Sequence, residues 1–365
     1  MIKRLTVKGF KSIDELQNFE LNNLNIFIGG NGAGKSNLID FFRLLRVVLN
    51  DNLDTYIRSG GGISDFLYNG RKRTSTQVFE IHFDSCGYRF FIKPGLSENC
   101  LLTNEAYYNL NESQKWREFG ENSDNRSQLK QVVKRNTLNN QSCKHIFDMI
   151  LSWGIYHFHD TSEHAAMRHY EIIQDNKVLR VNASNIAPYL MRLKNEHQSI
   201  YQEIIQATHM VLPFFEDFLL DFTSFGEKQK VNLSWVQKGS DFPLQPYHFS
   251  DGSIRFICLA TALLQPDPPS TIIIDEPELG LHPSAIAVLA ELIQNSAKRT
   301  QIIIATQSPT FIDYFGISDI IVVNRESGAS TFNRLKEKDF NIWLEDYSVG
   351  ELWSKNVITG GPAYE

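Results

Sequence analysis

The sequence predicts an α/β protein with a mainly parallel core sheet, an antiparallel β lobe and an inserted helical region. Three stretches carry that prediction. Near the N-terminus the strand pattern of "LNNLNIFIGG" runs through the glycine loop "GGNGAGKSN" into "LIDFFRLLRVVL", whose apolar residues recur at helical spacing. From Tyr247 onward helices and short apolar strands alternate, a pattern that builds a parallel sheet covered on both faces. In the segment between them, "VFEIHFDSCGYRFFIKPG" (Val78 to Gly95) alternates like a β-hairpin with its turn near Asp84 to Gly87.

Taken in order, "IKRLTVKGFKSI" reads as a first strand. The next places Leu24, Ile26 and Ile28 on one face and Asn25 and Phe27 on the other. From about Glu98 to Ser142 the chain turns polar, a composition that suits surface insertions or a mobile segment. Order returns at "GIYHFHDTS", and a helical stretch is expected from Ile186 to Phe218 with a break at Pro213. Then come a capped helix in "FSDGSIRFICLATALLQ", a buried strand in "STIIIDEPE", a helix in "PSAIAVLAELIQNSA" and a buried strand in "TQIIIATQSP". There is no internal repeat and no heptad run. The expected organisation is a discontinuous core over 1–97 and 236–340, a mixed polar and helical insertion over 98–235, and a C-terminal tail helix over 341–365. Val349, Leu352, Trp353 and Val357 form one apolar stripe of that tail.

The 365 residues are 42% hydrophobic, enough for a sizeable core. A net charge of −6 gives no support to nucleic-acid binding, although Arg71-Lys72-Arg73 is a local basic run able to meet phosphate. The four cysteines are widely spaced and lack a CxxC, against a disulfide framework or zinc site. No apolar stretch reaches the length of a membrane span and the first residues lack a signal-peptide core, so a cytoplasmic protein without a membrane partner is expected.

The glycine loop, Gly29 to Ser36, fits G-x-x-x-x-G-K-[ST] with a strand before it and a helix after it, the context in which the motif holds a polyphosphate. Glycines let the backbone approach the phosphates, and successive N–H groups supply positive potential. Lys35 would reach the outer phosphates and the Ser36 hydroxyl would take a magnesium position, so ATP and Mg2+ are the expected ligands. The expected nucleotide-binding set is Asn31, Gly32, Ala33, Gly34, Lys35, Ser36 and Asn37. Three carboxylates follow the strand "TIIID" within four positions, a crowding that repulsion disfavours unless a cation sits nearby. Asp275 is the expected second magnesium ligand, Glu276 the general base for the attacking water, and Glu278 a shaper of the loop. Upstream, Ser250, Gly252 and Ser253 open a helix with small groups and bare N–H donors at its positive end.

Loop, serine-headed helix, "TIIIDEPE" and "ATQSP" in this order, with the start "VKGFKSI" and the phrase "DEPELGLHP", resemble the ATPase heads of the ABC class, in its RecF-, SMC- and OLD-like branch. The likeness covers the two ends, about half of the chain. It implies that Ser250, Gly252 and Ser253 act in trans on the nucleotide of a second copy, so the unit would be a homodimer or an assembly of dimers. Many relatives have a histidine where this chain has Gln307 in "TQSP", which can hydrogen-bond a γ-phosphate but carries no proton charge. Slow or partner-stimulated hydrolysis would follow. The segment Tyr156 to Ser162 is the candidate for the loop that contributes to magnesium in relatives. The chain has neither the long coiled coils of SMC-like proteins nor the Toprim domain of OLD-like nucleases, and its tail resembles those of small stand-alone bacterial ATPases often encoded beside a separate effector. The expected function is therefore an ATPase that controls a partner effector, a nuclease or similar, in phage defence or DNA repair, with DNA as a further possible partner. Two alternatives compete with it: an ATP-clamped scaffold with incidental turnover, and a metal-dependent nuclease using His157, His159, Asp160, His164 and His169.

Overall fold

The structure is a computed structural model that describes residues 1–95, 98–110, 113–120, 125–135 and 141–358. It divides into two compact units: Met1–Trp153 together with the segment from Gly316, and Gly154–Phe315. The expected insertion over 98–235 is thus shared out, its first part lying in one unit and the rest in the other.

The first unit contains an antiparallel sheet in the order Ile13–Glu20, Ile2–Phe10, Gln77–Phe83, Cys86–Pro94, Cys100–Asn109, Ser113–Glu118. Its hairpin turns at Asp84 and Ser85, as the sequence predicts. Phe79 faces the core between Phe90, with ring centroids 5.0 Å apart, and Phe41 of helix Lys35–Leu49, at 6.0 Å. The same unit pairs Leu24–Ile28 in parallel with Ile320–Glu326, which turns back into antiparallel Ala329–Arg334. All five residues of Leu24–Ile28 are buried, as expected of a strand covered on both faces.

The polar stretch after Glu98 is a correction to the sequence reading. It supplies two further strands of the antiparallel sheet and two helices, Gln128–Lys134 and Gln141–Leu151. Alternation is hidden because Asn104 and Glu105 together oppose one residue of the neighbouring strand, with Asn104 at φ +50°, so the inward positions slip by one. The buried carboxylate of Glu105 accepts from the Tyr88 and Ser127 hydroxyls and from the N–H groups of Gln128 and Leu129, closing a helix start onto the sheet.

In the second unit Gly154–Tyr156, Thr271–Asp275 and Gln301–Thr306 run parallel, in that order. Helices Ile186–Glu196, Gln198–Val211, Asp251–Leu264 and Pro283–Ser296 belong to the same unit. The expected helix to Phe218 stops at Val211, and Phe215–Leu219 is a strand. Leu212 leaves the helical region (φ −125°, ψ 82°), as a residue before proline is pressed to do, and a register shift at Phe215/Asp217 lets Phe215 and Phe218 both face inward at a spacing that mimics a helix. The tail is also corrected: two short helices, Glu337–Leu344 and Val349–Ser354, replace one. Val349 and Leu352 are buried, whereas Val357 lies past the helix end, and 359–365 fall outside the described residues. No helix among the described residues is long and apolar enough to cross a membrane.

Candidate nucleotide site

The phosphate loop is built within the first unit. The strand ends at Ile28, and Lys35–Leu49 begins after Gly34, whose φ is +114°. A Cβ at Gly34 would meet the Ser330 hydroxyl at 2.0 Å, and one at Gly29 would meet the Val323 carbonyl oxygen at 2.2 Å. Only glycine fits either position, so the loop backbone lies directly on the strands behind it. Ser330 Oγ donates to Ala33 O (2.6 Å), Ser12 Oγ donates to Ser330 Oγ (2.6 Å), and Asn37 Nδ2 donates to Ser12 Oγ (2.6 Å). That chain explains the serine in "VKGFKSI": it braces the loop from behind. Lys35 is buried, its ammonium donating to Gly29 O (2.7 Å) and Gly30 O (3.1 Å). A cation held at a helix N-terminus is a setting for an anion, since the N–H groups and the dipole act with it.

Beside the loop lies a cleft of about 340 Å³ lined by Lys11, Ser12, Asn37, Asp65, Tyr68 and Arg325, among others. Lys11 pairs with Asp40, and Arg43 joins the same carboxylate at 2.8 Å. The basic run after Asn69 is largely engaged: Arg71 pairs with Glu98 at 3.3 Å and Arg73 with Asp14 at 3.1 Å.

The carboxylates and the serine-headed helix are built within the second unit. Asp275 and Glu276 are half-buried at the C-terminal end of their strand. Glu276 has φ +44°, an uncommon conformation for a side-chain-bearing residue, held by its N–H bond to Ala305 O (2.8 Å). Gln307 is half-buried and directly follows the adjacent strand. Glu278 turns inward, where its Oε1 accepts from Thr306 Oγ1.

Ser250 is exposed and caps helix Asp251–Leu264, accepting from Ser253 N at 3.1 Å. Ser253 is buried, its hydroxyl 2.7 Å from that of Ser250, so Ser250 is the outward group of the pair. A Cβ at Gly252 would meet Gly280 O at 2.4 Å, which packs the helix start against the loop after the carboxylates. Arg255, also buried, donates to Phe158 O (2.8 Å), His159 O (2.9 Å) and Leu279 O. His159 Nε2 lies 2.9 Å from Asp275 O. Serine-headed helix, carboxylate loop and the 157–159 segment are therefore tied into one block.

His157 and His159 follow the strand end at Tyr156, and their rings stack 4.2 Å apart. His169 Nε2 lies 3.2 Å from His164 O, and among the described residues no group of three or more His, Cys, Asp or Glu is placed to hold a metal ion.

Sequence reasoning missed Ser12, Ser330, Arg325 and the Tyr68 cleft, because residues hundreds of positions apart meet there. Arg255 left a legible signal: a lone charge within the apolar run "SIRFICLA" marks a buried cation with fixed partners.

This architecture, with its parallel strands, antiparallel lobe and phosphate loop, is that of an ABC-type ATPase head. The chain is similar to a solved SMC head bound to the C-terminal winged-helix domain of ScpA (TM-score 0.59, 16% identity, 93% of this chain and 99% of that one). It is also similar to the SMC head of Pyrococcus furiosus bound to the C-terminal domain of ScpA (TM-score 0.55, 15% identity, 94% and 98%). The head of Pyrococcus yayanosii gives a TM-score of 0.51 at 12% identity, over 94% and 99%. No curated protein matches. Over residues 24–313 the chain belongs to the family described as "AAA domain, putative AbiEii toxin, Type IV TA system".

Proposed function

We propose that the chain is an ATPase that binds Mg-ATP, pairs with a second copy around it, and uses occupancy or hydrolysis to control a partner effector. The observation that carries this reading is the glycine cradle, too close to Ser330 and Val323 for any side chain and presenting a buried Lys35. The backbone N–H groups from Asn31 to Ser36 and the Lys35 ammonium bind the phosphates, and the adjacent cleft takes the base and ribose. The Ser36 hydroxyl and Asp275 carboxylate are hard oxygen donors suited to Mg2+, which when bound neutralises charge on the phosphates. Glu276 accepts the proton of the attacking water, and Gln307 orients that water or the γ-phosphate by hydrogen bonding. Ser250, exposed at its helix N-terminus, addresses the nucleotide of the second copy with Gly252, while Ser253 orients its hydroxyl.

Two of the solved heads described above carry a partner protein, which supports control of an effector by this chain; phage defence and DNA repair are settings for such an effector, and DNA is a further partner to test. Glu276→Gln tests the chemistry. Nucleotide binding should survive, hydrolysis should fall by about 100-fold or more, and the nucleotide-bound pair should persist in sedimentation. Hydrolysis at the unaltered rate would remove Glu276 from its role.

A further inference from the structure

Glu278 is a carboxylate that neither packing nor charge pairing accounts for. It is 8% exposed, and among the described residues its Oε2 has no hydrogen-bond partner. Its Oε1 accepts from the hydroxyl of Thr306, the last residue of the adjacent strand. The same hydroxyl accepts from Ser308 N at 3.0 Å, and the N–H of Gln307 acts on the same carboxylate. Glu278 therefore holds the Thr306 hydroxyl and acts on the N–H of Gln307, reaching Ser308 N only through that hydroxyl, while Ser308 caps the following turn through Phe311 N (3.2 Å). An ionised group without full hydrogen bonding in such a place is costly, and a glutamine would fill the volume as well.

We propose that Glu278 is a positioning residue for ATP hydrolysis: as a carboxylate it holds Gln307 in register with Glu276, and on taking up a proton at Oε2 it loosens the Gln307 segment, because a neutral carboxyl accepts from the Thr306 hydroxyl more weakly. The proposal rests on the ATPase reading above. The charged groups acting on it are Glu276, on its own loop, which repels it, and Arg255 of the serine-headed helix, which attracts it. Burial, and then Glu276, raise its pKa to about 7 against the pull of the Thr306 hydroxyl and nearby N–H groups. A hold that depends on the charged form then strengthens as pH rises through neutrality.

The test measures ATP turnover from about pH 6 to about pH 8.5, with nucleotide affinity in parallel, for the unaltered chain, Glu278→Gln and Thr306→Val. The unaltered chain should show kcat rising through about pH 7, and Glu278→Gln should lower kcat about 10-fold, flatten that rise and leave nucleotide affinity within about twofold. Thr306→Val, which keeps the volume and removes the donor to the charged form, should move the midpoint of the rise upward; this arm stands even if Glu278→Gln fails to fold. An unaltered rate and pH profile in Glu278→Gln, an unmoved midpoint in Thr306→Val, or equal losses of affinity and rate would overturn the proposal. If the unaltered chain binds no nucleotide, the ATPase reading itself falls, an outcome separate from all of these.

Discussion

Lys35 and Glu278 are both charged side chains withdrawn from water, and they differ in what compensates them. The Lys35 ammonium has carbonyl oxygens of its own loop, whereas one oxygen of Glu278 has no hydrogen-bond partner among the described residues. The consequence for stability has a definite sign. Because the folded pKa of Glu278, about 7, lies above its ordinary value, the folded state holds the proton more tightly than the unfolded one. Stability is fully present below the ordinary carboxylate range and is lost as pH rises to about 7; above that, the whole cost of ionisation is borne. Glu278→Gln lacks this cost. It should be more stable than the unaltered chain at pH 8 by about 1–3 kcal/mol in urea unfolding, with the gain shrinking below about pH 5. A variant that gains stability while losing turnover is what a strained functional position predicts, and a loss of stability at pH 8 would contradict it.

Elements whose local signals agree with their surroundings were legible. The glycine loop, the helix capped by Ser250 and the strand "TIIID" lie where the sequence places them, because each combines a strong period with its own start or stop residue. The strands after Glu98 were not, since a bulge at Asn104 breaks their alternation and the buried Glu105 reads by composition as surface. Phe215 and Phe218 misled in the opposite sense, a register shift giving strand residues a helical spacing. At the candidate site the same holds for local structure: the glycine loop and the Ser250 cap were legible, while the bonds of Ser330 with the loop and of Thr306 with Glu278 were not, because they depend on long-range pairing. Glu105 offers a test at this scale. Glu105→Gln replaces an acceptor oxygen with a donor facing N–H and hydroxyl groups, and should destabilise the chain by about 1–3 kcal/mol in urea unfolding. An unchanged midpoint would mean that the Gln128–Lys134 helix start does not depend on that carboxylate.

At the scale of the molecule, the phosphate loop belongs to one compact unit and the carboxylates, Gln307 and the serine-headed helix to the other. Under the proposed function a second copy meets the nucleotide through Ser250, so occupancy would be reported beyond the site by whatever free energy favours the bound arrangement. All of this depends on a triphosphate binding at the loop. Titration calorimetry with ATP and Mg2+ tests that most directly. The account predicts heat with about one nucleotide per chain, and an affinity loss of at least about 100-fold in Lys35→Ala. No heat from the unaltered chain, or undiminished binding by Lys35→Ala, would contradict it.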